Sequence, residues 1–350
     1  MALRPPSNAL FCVCLFATIA QADQADQTTL QTVANGLNEP SAVAIRPGGA
    51  ADRYEVFVAL RGAGRVVKYI SGEDRPQPAI TGFHSNAADI SEPNSTGPWA
   101  LAFLDRMTLI VAAGGGDRDT LVRAYELHDD ESIEADAKKQ HAGVATQDGI
   151  RRGTDALAIH AAARTIANDR VPDLLIFTAT GDERQRGLWK MPIRAGSIGE
   201  LVPFAAEADA SEATTPTAIT IGEHGFVVVA RSADGDESPS ELAFYNPIDG
   251  SRLMRLSCEL PRIVALAYSP RTGNLYAAAG STDDSDGSIY RLDDASQPGA
   301  PACSAIGVVE VSGPTAMAFA PDGALYVTAN DNDGDEGANN GILLKLTGEL

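Results

Sequence analysis

Cysteine, aromatic residues and positive charge are all scarce in this chain, and each shortage closes off a class of function. Of the four cysteines, Cys12 and Cys14 fall inside an apolar amino-terminal run, which leaves Cys258 and Cys303. No Cys-x-x-Cys pair occurs, so a dithiol redox motif, a zinc ribbon and covalent haem attachment are excluded. Lys and Arg number 27 against 47 Asp and Glu, a formal charge of −20. Nucleic acid and anionic membranes are poor partners for such a surface. No apolar run is long enough to persist across a bilayer as an anchor. A G-x-S-x-G elbow, a P-loop and a Ser/His/Asp spacing are also missing.

The amino terminus carries an address. Arg4, the apolar "ALFCVCLFATIA" and the small-residue "AQA" form a secretory signal over residues 1–22, with cleavage expected before Asp23. Phe11 precedes Cys12 and Val13 precedes Cys14, so neither cysteine follows the small residue that lipid attachment needs. The sequence therefore predicts a secreted or periplasmic protein, with residues 23–350 as one domain. Two cysteines in an exported chain predict a Cys258–Cys303 disulfide, with two separate buried thiols as the alternative.

Internal repetition indicates the architecture. "PSAVAI", "GPWALAF", "GTDALAI", "TPTAITI", "RIVALAY" and "GPTAMAF" align on Ala42, Ala100, Ala156, Ala218, Ala265 and Ala316, at steps of 58, 56, 62, 47 and 51 residues. Each alternates small and apolar residues as a strand does. A second apolar strand follows, such as "YEVFVAL" or "ALYVTA", then a third, such as "GRVVKYI" or "GILLKL", then a weaker fourth. The pattern predicts an all-β, six-bladed β-propeller of four antiparallel strands per blade, blades starting near residues 40, 98, 154, 216, 263 and 314. The last repeat ends without a fourth strand. "TTLQTVA" (Thr28 to Ala34) precedes the first repeat and is expected to fill that place, closing the ring.

The sixth repeat, "PTAMAFAPDGALYVTA", resembles the NHL-type repeat and the wider six-bladed group containing the gluconolactonase/senescence-marker family. That resemblance implies a divalent cation on the propeller axis, held by a Glu ahead of the first inner strand and by Asn and Asp ahead of later ones. "NEPSAVAI" places Glu39 in the first of these positions, and "GTDALAI" places Asp155 in the Asp position. The other inner-strand starts, "GPW", "TPT", "RIV" and "GPT", lack the Asn-Gly signature. "GPWALAF" also looks like the opening of soluble quinone-dependent aldose dehydrogenases, which would require a catalytic His. His84, His128, His141, His160 and His224 share no repeat position, and His160 is expected at an inner-strand end. Trp99, at the start of the second inner strand, would either line the channel mouth and stack on a sugar or pack within the blade.

"NDNDGDE", Asn330 to Glu336, lies between the second and third strands of the last repeat, and related loops carry Asp234, Asp236, Glu237, Asp283, Asp284 and Asp286. Asp331, Asp333 and Asp335 could face calcium or another divalent cation, although neither Gly334 nor Gly287 completes an EF-hand spacing. Asp, Asn and Gly are also the ordinary residues of polar turns. The stretch therefore reads first as a turn and second as a cation site. From sequence, the favoured function is an exported monomeric binding or scaffold module presenting its acidic face to a protein or glycan. The alternative is a divalent-cation-dependent lactonase or esterase-like hydrolase.

Overall fold

The computed structural model describes residues 28–48, 51–73, 75–83, 97–114, 121–128, 132–134, 158–165, 173–180, 187–194, 197–199, 201–205, 214–222, 224–233, 239–280, 287–297, 301–330 and 340–350. The signal segment, Asp155, Asp331, Asp333, Asp335 and the other acidic-loop residues named above lie outside this set. The described residues contain strands, turns and no helix.

β1 (Thr29–Leu37) is followed by β2 (Pro40–Ile45), β3 (Glu55–Leu60), β4 (Arg65–Ile70) and β5 (Gln77–Thr81). Next come β6 (Gly97–Phe103), β7 (Thr108–Gly114), β8 (Leu121–Glu126) and the short β9 (Ile133–Glu134). A third group holds β10 (Ala158–Thr165), β11 (Leu174–Thr180), β12 (Gly187–Arg194), β13 (Ser197–Ile198) and β14 (Val202–Pro203). Then follow β15 (Thr214–Ile221), β16 (Val227–Ala233), β17 (Glu241–Tyr245) and β18 (Arg252–Cys258). The chain finishes with β19 (Ile263–Tyr268), β20 (Leu275–Gly280), β21 (Gly287–Asp294), β22 (Ala302–Glu310), β23 (Pro314–Phe319), β24 (Leu325–Asn330) and β25 (Gly341–Thr347).

Each group is an antiparallel meander opened by one short strand of small residues. These opening strands, β2, β6, β10, β15, β19 and β23, pack against one another in chain order, and β23 packs against β2. They jointly line a narrow cavity of about 80 Å³, with Ala42, Ala100, Ala161, Ala218, Ala265 and Ala316 on its wall. Small side chains are required because six strands converge there. Larger apolar residues fill the layers between sheets. Phe57 and Leu109 pack between the first and second groups, and Ile176 and Val229 between the third and fourth.

β1 pairs with β25 from Thr29↔Thr347 to Leu37↔Gly341, so the segment expected to seek a distant partner finds it in the last strand. Tyr54 OH donates to Asp322 Oδ2 at 2.9 Å and lies 3.0 Å from Tyr326 OH, joining the first and last groups on their other flank. The disulfide forms: Cys258 and Cys303 are bonded, Cα to Cα 5.2 Å, where β18 and β22 run parallel. This bond links the outer strands of two successive groups into one eight-stranded sheet.

Two local differences from the repeat pattern occur. β6–β7–β8 is a three-stranded sheet among the described residues. Ile133 and Glu134 instead pair with β5, covering the exposed edge of the first sheet.

Candidate active site

One irregularity recurs in every opening hairpin. The register slips between Pro40 and Ala42, Pro98 and Ala100, Ile159 and Ala161, Pro216 and Ala218, Ile263 and Ala265, and Pro314 and Ala316. Each slip is a β-bulge, which bends the strand and re-aims the extra residue. The bulged residues are Ser41, Trp99, His160, Thr217, Val264 and Thr315.

Three of them fasten neighbouring strands by the same rule. Ser41 Oγ donates to Pro98 O at 2.7 Å, Thr217 Oγ1 to Ile263 O at 2.6 Å, and Thr315 Oγ1 to Pro40 O at 2.8 Å. In each case the hydroxyl of one bulge reaches the residue just before the bulge of the next group. The bulged ends therefore lie side by side at one end of the cavity.

Glu39 stands at that end, immediately before β2. Its φ is +48°, and it is the single non-glycine residue with positive φ among the described residues. Such a conformation costs on the order of 1–3 kcal/mol and persists where its surroundings impose it. Two contacts with the β3–β4 turn impose it here. Arg61 N donates to Glu39 O at 2.9 Å, and Arg61 Nε to Glu39 Oε2 at 2.8 Å. The Arg61 guanidinium in turn lies 4.3 Å from the centre of the Trp99 ring, a cation–π contact between the first and second groups.

Asn38 completes the cluster. Its Oδ1 is buried and has no hydrogen-bond partner among the described residues. Gly62 makes room for it: a Cβ at Gly62 would collide with Asn38 Oδ1, lie 2.8 Å from Asn38 Cγ and sit 3.2 Å from Glu39 Cδ. The Asn38 amide and the Glu39 carboxylate thus share one small space over Gly62. Gly97 permits a second close approach, since a Cβ there would lie 2.5 Å from Arg61 O. Glu39 Oε1 accepts no hydrogen bond from the described residues.

An acceptor-only pair of oxygens, one buried without a donor, is a donor set suited to a hard cation. It is a partial set. Among the described residues no group of three or more His, Cys, Asp or Glu converges.

Glu39 immediately precedes the first opening strand, β2. For the third repeat the register differs from the sequence alignment. The alanine equivalent to Ala42 is Ala161, not Ala156, and the equivalent of Ser41 is His160. His160 consequently holds a bulge position near the start of β10 rather than an inner-strand end. Sequence reasoning passed over Asn38 and Arg61. Their signal was the pairing of "NEP" before the first inner strand with "RGAG" after the second strand, a turn that needs glycine.

No family model matches the chain, and no curated protein matches it by sequence. Solved structures do. The PQQ-bound aldose sugar dehydrogenase of Streptomyces coelicolor aligns over 93% of this chain and 99% of its own, at 15% identity and a TM-score of 0.60. The gluconolactonase XC5397 of Xanthomonas campestris aligns over 93% and 92%, at 13% identity and a TM-score of 0.58. The calcium-binding protein regucalcin of Agrobacterium tumefaciens aligns over 93% and 95%, at 13% identity and a TM-score of 0.54. The chain has their fold. It resembles propeller proteins of the gluconolactonase and aldose dehydrogenase kind.

Proposed function

We propose that this protein is a six-bladed, ring-closed β-propeller enzyme, a divalent-cation-dependent hydrolase of sugar-derived lactones or related esters, with its active site at the bulged ends of the inner strands. The observation that carries this reading is Asn38 Oδ1, buried and without a hydrogen-bond partner among the described residues, beside the carboxylate of Glu39, whose backbone has positive φ. The ring of packed opening strands and the β1–β25 pairing support six blades and closure. The similarity to a gluconolactonase and a calcium-binding propeller favours a hydrolase over the scaffold role the sequence suggested. The Cys258–Cys303 disulfide is in keeping with export to an oxidising compartment.

Glu39 and Asn38 would hold the cation; the register of β10 gives the position expected for Asp155 to His160 instead. A cation bound there would polarise the lactone carbonyl and lower the pKa of a bound water. The protein groups do the rest. Arg61 fixes the Glu39 carboxylate through Oε2 and leaves Oε1 without a hydrogen bond from the described residues. The cavity of about 80 Å³ is far below the roughly 300 Å³ of a small-molecule site, so substrate sits above the strand ends and not inside the channel.

Hydrolysis of gluconolactone, followed by proton release, tests the reading. Turnover above the spontaneous rate should vanish with EDTA, return with calcium or another divalent ion, and fall at least 100-fold in Glu39→Gln. Turnover indifferent to EDTA and to Glu39→Gln, or none with any divalent ion, would remove it.

A further inference from the structure

The opposite end of the first group carries a second cleft of different chemistry. Glu39 precedes β2 and Arg46 follows it, so about 20 Å of strand separates the two places. The cleft has a volume of about 450 Å³ and is lined by Arg46, Arg53, Lys68, Arg106, Glu55 and Glu73 among others. Four cations thus face two carboxylates in a chain whose formal charge is −20.

The floor of the cleft is ion-paired. Glu55 receives Arg46 Nη1 on Oε2 at 2.5 Å and Lys68 Nζ on Oε1 at 3.4 Å. Arg46 and Lys68 are only 5% and 6% exposed. Arg46 Nε also donates to Arg106 O at 2.6 Å, so the buried guanidinium fixes the turn that presents Arg106. Anchoring Glu55 accounts for Arg46 and Lys68. It does not account for Arg53 and Arg106, which are exposed on the rim and touch no carboxylate among the described residues. Among the described residues the Arg106 side chain makes a single, long hydrogen bond, 3.4 Å from Nη1 to Gly48 O.

We propose that this cleft is a binding site for a phosphate-bearing small molecule, with Arg53 and Arg106 as the groups that grip the phosphate. Guanidinium forks match phosphate oxygens in geometry as well as charge. The volume is within the roughly 300–1,000 Å³ usual for small ligands, so there is room for more than the phosphate itself. Elsewhere the acidic surface repels anions, and this cleft selects one by local charge.

Calorimetric titration of the full chain with inorganic phosphate and with glucose 6-phosphate, at constant ionic strength, tests the site. Saturable binding is expected, weakening at least ten-fold in Arg53→Gln/Arg106→Gln and weakening as sodium chloride is raised. Tighter binding of the sugar phosphate would show that the rest of the cleft is used. Equal binding would assign recognition to the phosphate group alone. The single variant Arg53→Gln, which removes no described contact, gives the same readout should the double variant fold poorly. Glu39→Gln should leave phosphate binding unchanged, so failure here and failure of the lactonase reading are separable. No saturable heat with either ligand, or an unchanged Kd in the variants, would overturn the proposal.

Discussion

Arg61 Nε donates to Glu39 Oε2 at 2.8 Å, so the carboxylate at the bulged strand ends already carries one of the protein's own cations. Both side chains are 22% exposed, and a pair in that setting is worth under about 1 kcal/mol of stability. Its larger effect is on what else Glu39 can hold.

Two substitutions there should act in opposite directions on calcium. Glu39→Gln removes the charged ligand and should weaken calcium binding at least ten-fold. Arg61→Ala removes the competing charge and should tighten it several-fold, at a small cost in stability that includes about 0.5–1 kcal/mol for the lost Trp99 contact. The calcium-dependent rise in thermal midpoint reads both. Equal shifts in both variants would mean that calcium binds elsewhere.

Gly62 and Asn38 should be coupled. Gly62→Ala places a methyl against Asn38 Oδ1 and should cost roughly 1–3 kcal/mol, the usual range for forced overpacking. Asn38→Ala removes the obstructing atoms together with a buried acceptor that has no partner among the described residues, so the double variant should recover most of the loss. Denaturant unfolding of the four proteins gives the coupling. Strict additivity would mean that the two side chains do not share a space.

Reduction should loosen the molecule between the fourth and fifth groups. The disulfide closes a 45-residue separation, worth about 4 kcal/mol on the chain-entropy model. Cys303→Ser, or dithiothreitol, should lower the midpoint by several degrees, and dithiothreitol should have no further effect on the variant. An unchanged midpoint would show that the parallel β18–β22 contact holds without the bond.

Alkali should act on the tyrosines late. Burial raises the pKa of Tyr69 to about 12, and burial also raises those of Tyr268 and Tyr276. Tyr54 is raised by burial and by its bonds to Tyr326 and Asp322. A raised folded-state pKa favours the neutral phenol in the native protein. The associated stability is complete below pH 10, where both states are neutral, and is lost as pH climbs from about 10 toward 12. Absorbance of tyrosinate should show these rings ionising only with unfolding. Tyr69→Phe, which deletes a buried hydroxyl with no partner among the described residues, should cost nothing or stabilise by up to about 1 kcal/mol. Early, reversible ionisation of all eight tyrosines would contradict the burial argument.

Five of the six opening strands were legible because their alanines answer to a single constraint, the crowding where strands converge. The third was not. "TDALAI" and "IHAAAR" both alternate small residues, and sequence alone does not choose between them. Pairing chooses: Thr165 is fully buried and lies opposite Leu174, which sets the register of β10. The displacement from Ala156 to Ala161 is five residues, an odd number, and an odd slip exchanges the two faces of a strand. Glu39 was legible from its place before a strand. Its link to Arg61 was not, because that contact spans 22 residues and depends on a backbone angle that no periodicity reveals.

The antiparallel pairing of β1 with β25 also governs how the molecule responds to force. Its first rung, Thr29 with Thr347, lies nearest both chain ends. A load applied between the ends meets that rung first and then the next, peeling the pair like a zipper and never loading all rungs in shear. Stretched by its termini, the protein should yield at low force in small steps. Stretched between points either side of Cys258 and Cys303, it should halt at a covalent stop.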